Sequence, residues 1–375
     1  MTKTEFCVVS WLLLVGEAVG QDVTKSEAVN SADKGKWVNI SETTTKKIIA
    51  AGGRIVMGKG APEMTNGCGI VGVGVDRTNG DVYMAVVGYG IWKSVDHGTT
   101  FERIDGGKLT SRGQARCIDA DPEGKRFMFF MMSGNAELVL ESGATAVETQ
   151  LSHVECGATD WSDGKTMLAV YHEKNGEIAA SFDGGAKWKT IGKGFWYSPG
   201  VFDARTLIIT KYEEGGGILR SQDAGETWTK VSGLIPTPLK PMKVFKGAGY
   251  FTSRDGLLVS KDKGATWAIQ GKPLACANGL CPVQGKPTGC LEGPLFGKDE
   301  KHLVVAAKEG LMETTDGGET WKIAAPYPTQ EWDIPLVGRR VSLKPDPAFS
   351  FYAWDPQNDI FYASGNYCPL MKYQR

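Results

Sequence analysis

Histidine is scarce in this sequence. Four residues, His97, His153, His172 and His302, are scattered over 375 positions, and no Cys-x-x-Cys pair occurs. A zinc framework of clustered His and Cys is therefore missing, and no motif calls for a cofactor. A basic surplus is missing too. Lys and Arg number 42 against 43 Asp and Glu, which removes the electrostatic footprint of a non-specific nucleic-acid binder. Apolar runs are short and end early. Cys7 to Gly16 is apolar but for one Ser, too short for the ~20 residues that span a bilayer. Lys3 precedes it and Ala18-Val19-Gly20 follows, so residues 1–20 read as a secretory signal peptide. The expected product is exported, extracellular or periplasmic, without a membrane span.

Removing Cys7 leaves Cys68, Cys117, Cys156, Cys276, Cys281, Cys290 and Cys368. The odd count leaves at least one thiol free or intermolecular. Cys276 and Cys281 flank a short Pro/Gly-rich stretch and suit a local disulfide. Cys117 and Cys156 read as small apolar fillers of a crowded wall.

What is abundant is glycine, 49 residues, with 11 Trp, 11 Tyr and 14 Phe. Spread evenly, these point to many short strands and tight turns. An eight-residue pattern, Ser/Thr-x-Asp-x-Gly-x-x-aromatic, occurs five times: SVDHGTTF from Ser94, SFDGGAKW from Ser181, SQDAGETW from Ser221, SKDKGATW from Ser260 and TTDGGETW from Thr314. Each reads as a turn between strands. The Asp accepts backbone N–H bonds, the hydroxyl adds another local bond, and the Gly takes positive φ. These are scaffold residues.

The octapeptide resembles the Asp-box, or BNR repeat, of sialidases, sortilin-type receptors and photosystem II assembly factors. The resemblance implies an all-β β-propeller, with residues 21–375 forming one domain. The Asp positions are 96, 183, 223, 262 and 316. The first gap is about twice the next two, so a degenerate unit is expected near residue 140, where LVLESGATAV supplies Glu141 and Gly143. The long last gap implies an insertion within Gly271 to Gly289. SADKGKWVNIS, near the mature amino terminus, resembles a box one residue short and the strand after it. It would complete a last blade whose other strands are carboxy-terminal. The sum is seven blades of about 50 residues, or six if the terminal unit does not pair.

In such propellers ligands bind on the face opposite the boxes, over the central channel. The resemblance therefore directs attention to loops entering first strands and joining second to third strands. His153, Tyr197, Arg116 and Glu155 are the expected catalytic group. His and Tyr would act as base and acid beside a substrate carboxylate that Arg neutralises. Lys240, Glu292, Trp196 and His172 are expected to bind substrate. The long loop Pro326 to Ala348 adds Trp332, Asp333, Arg339 and Arg340, and Ser41 to Asn66 is a second long loop. Aromatics beside carboxylates and guanidinium groups suit an anionic or polyhydroxylated ligand. Sialidases carry Arg-Ile-Pro on a first strand. The nearest match, Arg54-Ile55-Val56, lacks the Pro and precedes the first strand. The expected activity is that of a glycoside hydrolase or polysaccharide lyase on an anionic or plant/algal polysaccharide. The alternative is a non-catalytic propeller that binds protein or glycan. A monomer is expected.

Overall fold

The computed structural model describes residues 33–375 apart from 58–62, 111–112, 114, 123, 125, 133–134, 140–145, 173, 175, 195–196, 213, 276, 284–285, 291, 329–331, 337–338 and 344–349. The chain is an all-β β-propeller. Seven four-stranded antiparallel sheets occur among the described residues. Sheet one runs Ile70–Asp76, Asp81–Val86, Gly90–Ser94 and Glu102–Arg103. Sheet two runs Ala115–Ala120, Phe127–Met131, Asn135–Val139 and Ala146–Ser152; sheet three Val154–Thr159, Met167–Tyr171, Ile178–Ser181 and Lys189–Gly192. Sheet four runs Gly200–Val201, Leu207–Lys211, Gly217–Ser221 and Thr229–Ser232; sheet five Lys243–Phe245, Ala248–Ser253, Gly256–Ser260 and Ala268–Gln270. Sheet six runs Glu292–Phe296, Leu303–Ala307, Gly310–Thr314 and Lys322–Ala325.

Sheet seven joins both ends of the chain. Phe351–Asp355, Ile360–Ser364 and Met371–Gln374 are followed by Trp37–Asn39, with Trp37 opposite Tyr373 and Asn39 opposite Met371. The pairing expected from SADKGKWVNIS is thus present. Trp37 Nε1 also donates to Pro326 O at 2.6 Å, and Leu370 N donates to Ser41 Oγ at 2.9 Å. The fourth strand of the last sheet is thus supplied from the amino-terminal side, which ties the ring shut.

First strands touch between sheets one and two, two and three, three and four, and six and seven, and the first strand of sheet one meets that of sheet seven. Ile70–Asp76 is buried along its whole length, as a strand covered on both faces should be. Gly72 and Gly74 make room there for the rings of Phe129 and Phe127 from the next sheet, which a Cβ would meet at 2.5 Å.

The five octapeptides join third to fourth strands of sheets one, three, four, five and six, and share one hydrogen-bond set. The leading Ser or Thr hydroxyl donates to Asp Oδ1 and accepts the Gly N–H at 2.7–2.9 Å. The N–H four residues after each Asp closes the loop: Thr100, Lys187, Thr227, Thr266 and Thr320 each donate to Asp Oδ1 at 2.9 Å. The Thr227 and Thr266 bonds hold the Asp223 and Asp262 carboxyls at about 2. Gly225 has φ +90°, and a Cβ there would run into Ile191 of the preceding sheet. Trp228 packs on the cluster of Leu168, Ala180 and Leu207 between sheets three and four, and Trp267 lies against Phe251 within sheet five. Ser221→Ala would leave the buried Gly225 N–H unsatisfied. It is expected to cost about 1–3 kcal/mol in urea unfolding and to leave the chemistry of the opposite face untouched.

Two departures concern the long loops. Ser41 to Asn66 contains a helix, Glu42–Ala50, that buries Thr44, Thr45 and Ile48 on one side. The two other long stretches contain two-stranded hairpins, Ala277–Val283 with Lys286–Cys290 and Trp332–Leu336 with Arg339–Leu343. The signal peptide, the Glu141–Gly143 turn and the Cys276–Cys281 pairing lie outside the described residues. Among the described residues no helix is long and apolar enough to cross a membrane.

Candidate functional site

Antiparallel order puts the loops entering first strands and those joining second to third strands at one end of the ring. The octapeptides lie at the other end. At the first end, sheet three supplies a compact group. His153 sits between the last strand of sheet two and the first of sheet three, at φ +61°. A non-glycine residue in that region is uncommon, and it marks a tightly held corner. His172 follows the second strand, and its N–H donates to His153 O at 2.9 Å. The two rings meet edge to face with centroids 5.1 Å apart. His172 Nδ1 is hydrogen-bonded to Glu155 Oε2, in the first strand. A carboxylate at Nδ1 fixes the ring's orientation and makes Nε2 the position for proton exchange.

Sheet four continues the arc. The Tyr197 and Tyr212 rings cross at 83° with centroids 5.1 Å apart. Tyr212 Oη donates to Pro236 O at 2.7 Å, and Ser198 Oγ donates to Thr237 O at 3.0 Å. These bonds lock the aromatic pair to the loop that enters sheet five. Lys240, in that loop, forms an ion pair with Glu292, the first residue of sheet six. The structure therefore brings His153, His172, Glu155, Tyr197, Lys240 and Glu292 onto one end of four consecutive sheets.

The other expected residues divide as follows. Arg116 belongs to the first strand of sheet two, and Trp332, Asp333, Arg339 and Arg340 to the second hairpin, where Arg340 is opposite Pro335 and Arg339 opposite Leu336. Their side chains, and all of Trp196, lie outside the described residues. Arg54 is exposed, precedes sheet one and donates to Glu63 at 3.3 Å. It stands on no first strand, which removes the sialidase-like arginine.

One feature on the axis was not expected. Lys243, in the first strand of sheet five, donates to Asp119 of sheet two at 2.7 Å. Asp119 also accepts the Thr159 N–H at 2.7 Å. Both residues are buried, and two sheets separate them around the ring, so the pair bridges the channel. A lysine in PMKVF and an aspartate in CIDA, polar residues inside strands that face the axis, were the signal available in the sequence.

The axis also holds thiols. Cys117 and Cys156 are free, buried and 3.4 Å apart at sulfur. Burial pushes the Cys68 thiol up to about 12 and, with Cys117 beside it, raises that of Cys156. The Cys68 and Cys156 thiols stay protonated and are not nucleophiles, in keeping with a filling role for Cys156. Burial likewise raises the Tyr352 phenol. Among the described residues no cluster of three or more His, Cys, Asp or Glu could hold a metal ion.

No protein-family model matches the chain, and no curated protein matches it. Solved structures do match. YCF48 bound to a D1 peptide is 13% identical with a TM-score of 0.47, the match covering 84% of this chain and 94% of that one. YCF48 from Cyanidioschyzon merolae is 13% identical with a TM-score of 0.46, covering 84% and 98%. A GH74 enzyme of Niastella koreensis is 15% identical with a TM-score of 0.37, covering 79% of this chain and 53% of that chain. At such identities the likeness concerns the fold alone.

Proposed function

We propose that this chain is an exported Asp-box propeller that cleaves an anionic polysaccharide by β-elimination at the end of the ring carrying His172. The observation that carries the proposal is the Glu155–His172–His153 group, with Tyr197 at the same end of the next sheet. Hydrolysis needs two carboxylates placed for acid and nucleophile or base work. Here Glu155 is engaged by His172 and Glu292 by Lys240, so the imidazoles and the phenol are the better-placed proton carriers. In the proposed step, His172 Nε2 removes the proton next to a uronate carboxylate, and Glu155 stabilises the imidazolium that forms. The C4–O bond breaks, Tyr197 protonates the leaving oxygen, and a C4–C5 double bond remains. Lys240 and Arg116 would neutralise the carboxylate. Trp332, Asp333, Arg339 and Arg340, on the hairpin between sheets six and seven, would extend the binding surface, as would Trp196.

Each four-stranded sheet is read as one blade, which makes seven, with residues 21–375 as a single domain behind a signal peptide at 1–20. The shared hydrogen-bond set of the five turns supports the Asp-box reading.

The test is a screen of purified protein against uronate-bearing and neutral polysaccharides. Ultraviolet absorbance from unsaturated uronates and reducing-end release are read in parallel. Both signals rising together on a uronate polymer is the expected result. Reducing ends without absorbance would replace elimination by hydrolysis. Saturable binding without either signal would favour the non-catalytic reading, which the engagement of Glu155 by His172 and of Glu292 by Lys240 also supports.

A further inference from the structure

The end of the ring opposite His172 holds a cavity of about 550 Å³, a size typical of small-molecule sites. It is formed by the hairpins that join first to second strands in sheets one to five. Its apolar wall includes Trp161 and Phe202, and its charged groups are Asp121, Asp160, Arg126 and Lys246. These charges do not cancel evenly. Arg126 is spent: its Nε donates to Asp121 at 3.3 Å, an Nη donates to Trp161 O, and the guanidinium lies 5.4 Å from the Trp161 ring centroid. Lys246 reaches outward, with its side chain 53% exposed and its Nζ 3.8 Å from Glu300.

Asp160 is left over. It is 7% exposed. Its Oδ1 accepts the N–H and hydroxyl of Ser162 at 2.9 and 2.6 Å, both neutral donors. Among the described residues no cation pairs with it, and the carboxylates of Asp163 and Asp203 add to the negative field there. Burial and those neighbours raise its carboxyl above the ordinary value. A buried carboxylate of this kind is stabilised by an incoming positive charge.

We propose that this cavity binds a small saccharide carrying a protonated primary amine. The ammonium group sits on Asp160, and the sugar ring lies against the apolar wall of Trp161 and Phe202. An aromatic wall favours the C–H faces of a pyranose and adds attraction for the cation. A neutral sugar gains only a hydroxyl hydrogen bond from Asp160, without the charge pairing, and an acidic one is repelled.

The experiment is titration calorimetry on the full chain with glucosamine and N-acetylglucosamine, which differ in this charge. Glucosamine is expected to bind saturably, and N-acetylglucosamine at least tenfold more weakly. Asp160→Asn keeps an oxygen for the Ser162 turn and is expected to weaken glucosamine at least tenfold without lowering Tm. Lys246→Glu, on an exposed residue, is expected to tighten it several-fold. Failure of wild type to bind glucosamine, equal binding of the N-acetyl form, or unchanged affinity in either variant would overturn the proposal. The site lies at the far end of the ring from His172, so the outcome is independent of the polysaccharide screen.

Discussion

Replacing Lys243 with Met is expected to lower unfolding free energy by about 3–5 kcal/mol at neutral pH, the usual cost of stripping one partner from a buried ion pair. Lys243 donates to Asp119 across the axis of the ring at 2.7 Å. Methionine fills similar space, so the loss is electrostatic rather than a cavity. A buried carboxylate without its cation holds its proton more tightly in the folded than in the unfolded chain. The folded variant then binds more protons than the unfolded one, and stability falls as pH rises. The deficit should therefore be smaller at pH 5 than at pH 7. Adding Asp119→Asn should recover part of it, because the amide oxygen still accepts the Thr159 N–H. Urea unfolding at the two pH values checks this, and a deficit independent of pH would reassign the effect to packing.

His172→Ala is expected to lower kcat/KM on the uronate polymer by about 10²–10⁴, the usual contribution of a general base. Tm should barely move. His172 is half-buried at the ring's end, following the second strand of its sheet rather than lying within it. Glu155→Gln separates positioning from proton transfer. The amide can still bond Nδ1, but the imidazolium loses its counter-charge. A smaller fall in rate, with the acidic limb of the pH–rate profile shifted to lower pH, is expected. Full turnover by His172→Ala would remove the proposed base.

Much of the scaffold could be read from local chemistry. The five octapeptides state their own turns, because every hydrogen bond in them is made within a few residues, as Ser221, Asp223 and Thr227 show. The pairing of Trp37 with the carboxy terminus was readable because SADKGKWVNIS repeats the same local pattern. The helix Glu42–Ala50 was not. Its run of three threonines has modest helix propensity, and the helix exists because Thr44, Thr45 and Ile48 are covered by the rest of the ring. The Lys243–Asp119 pair was equally hidden. Its partners come from sheets brought face to face only by closure of the whole ring, and no local pattern encodes that meeting. The same holds for Asp160, whose turn is ordinary in sequence. Its isolation from cations follows from where Arg126 and Lys246 point in the folded ring.

Seating Trp37 beside Tyr373 also sets an order of events during synthesis. The strand Trp37–Asn39 is among the first parts of the domain made, and its partner Met371–Gln374 is the last. At ordinary translation speeds of about 5–20 residues per second the two are separated by roughly 20–70 s. Until then sheet seven lacks the contact that closes the ring, and the earlier sheets form an open arc with exposed backbone at both ends. Final closure is a non-local step that the ribosome itself postpones, which leaves the chain open while it is still being made.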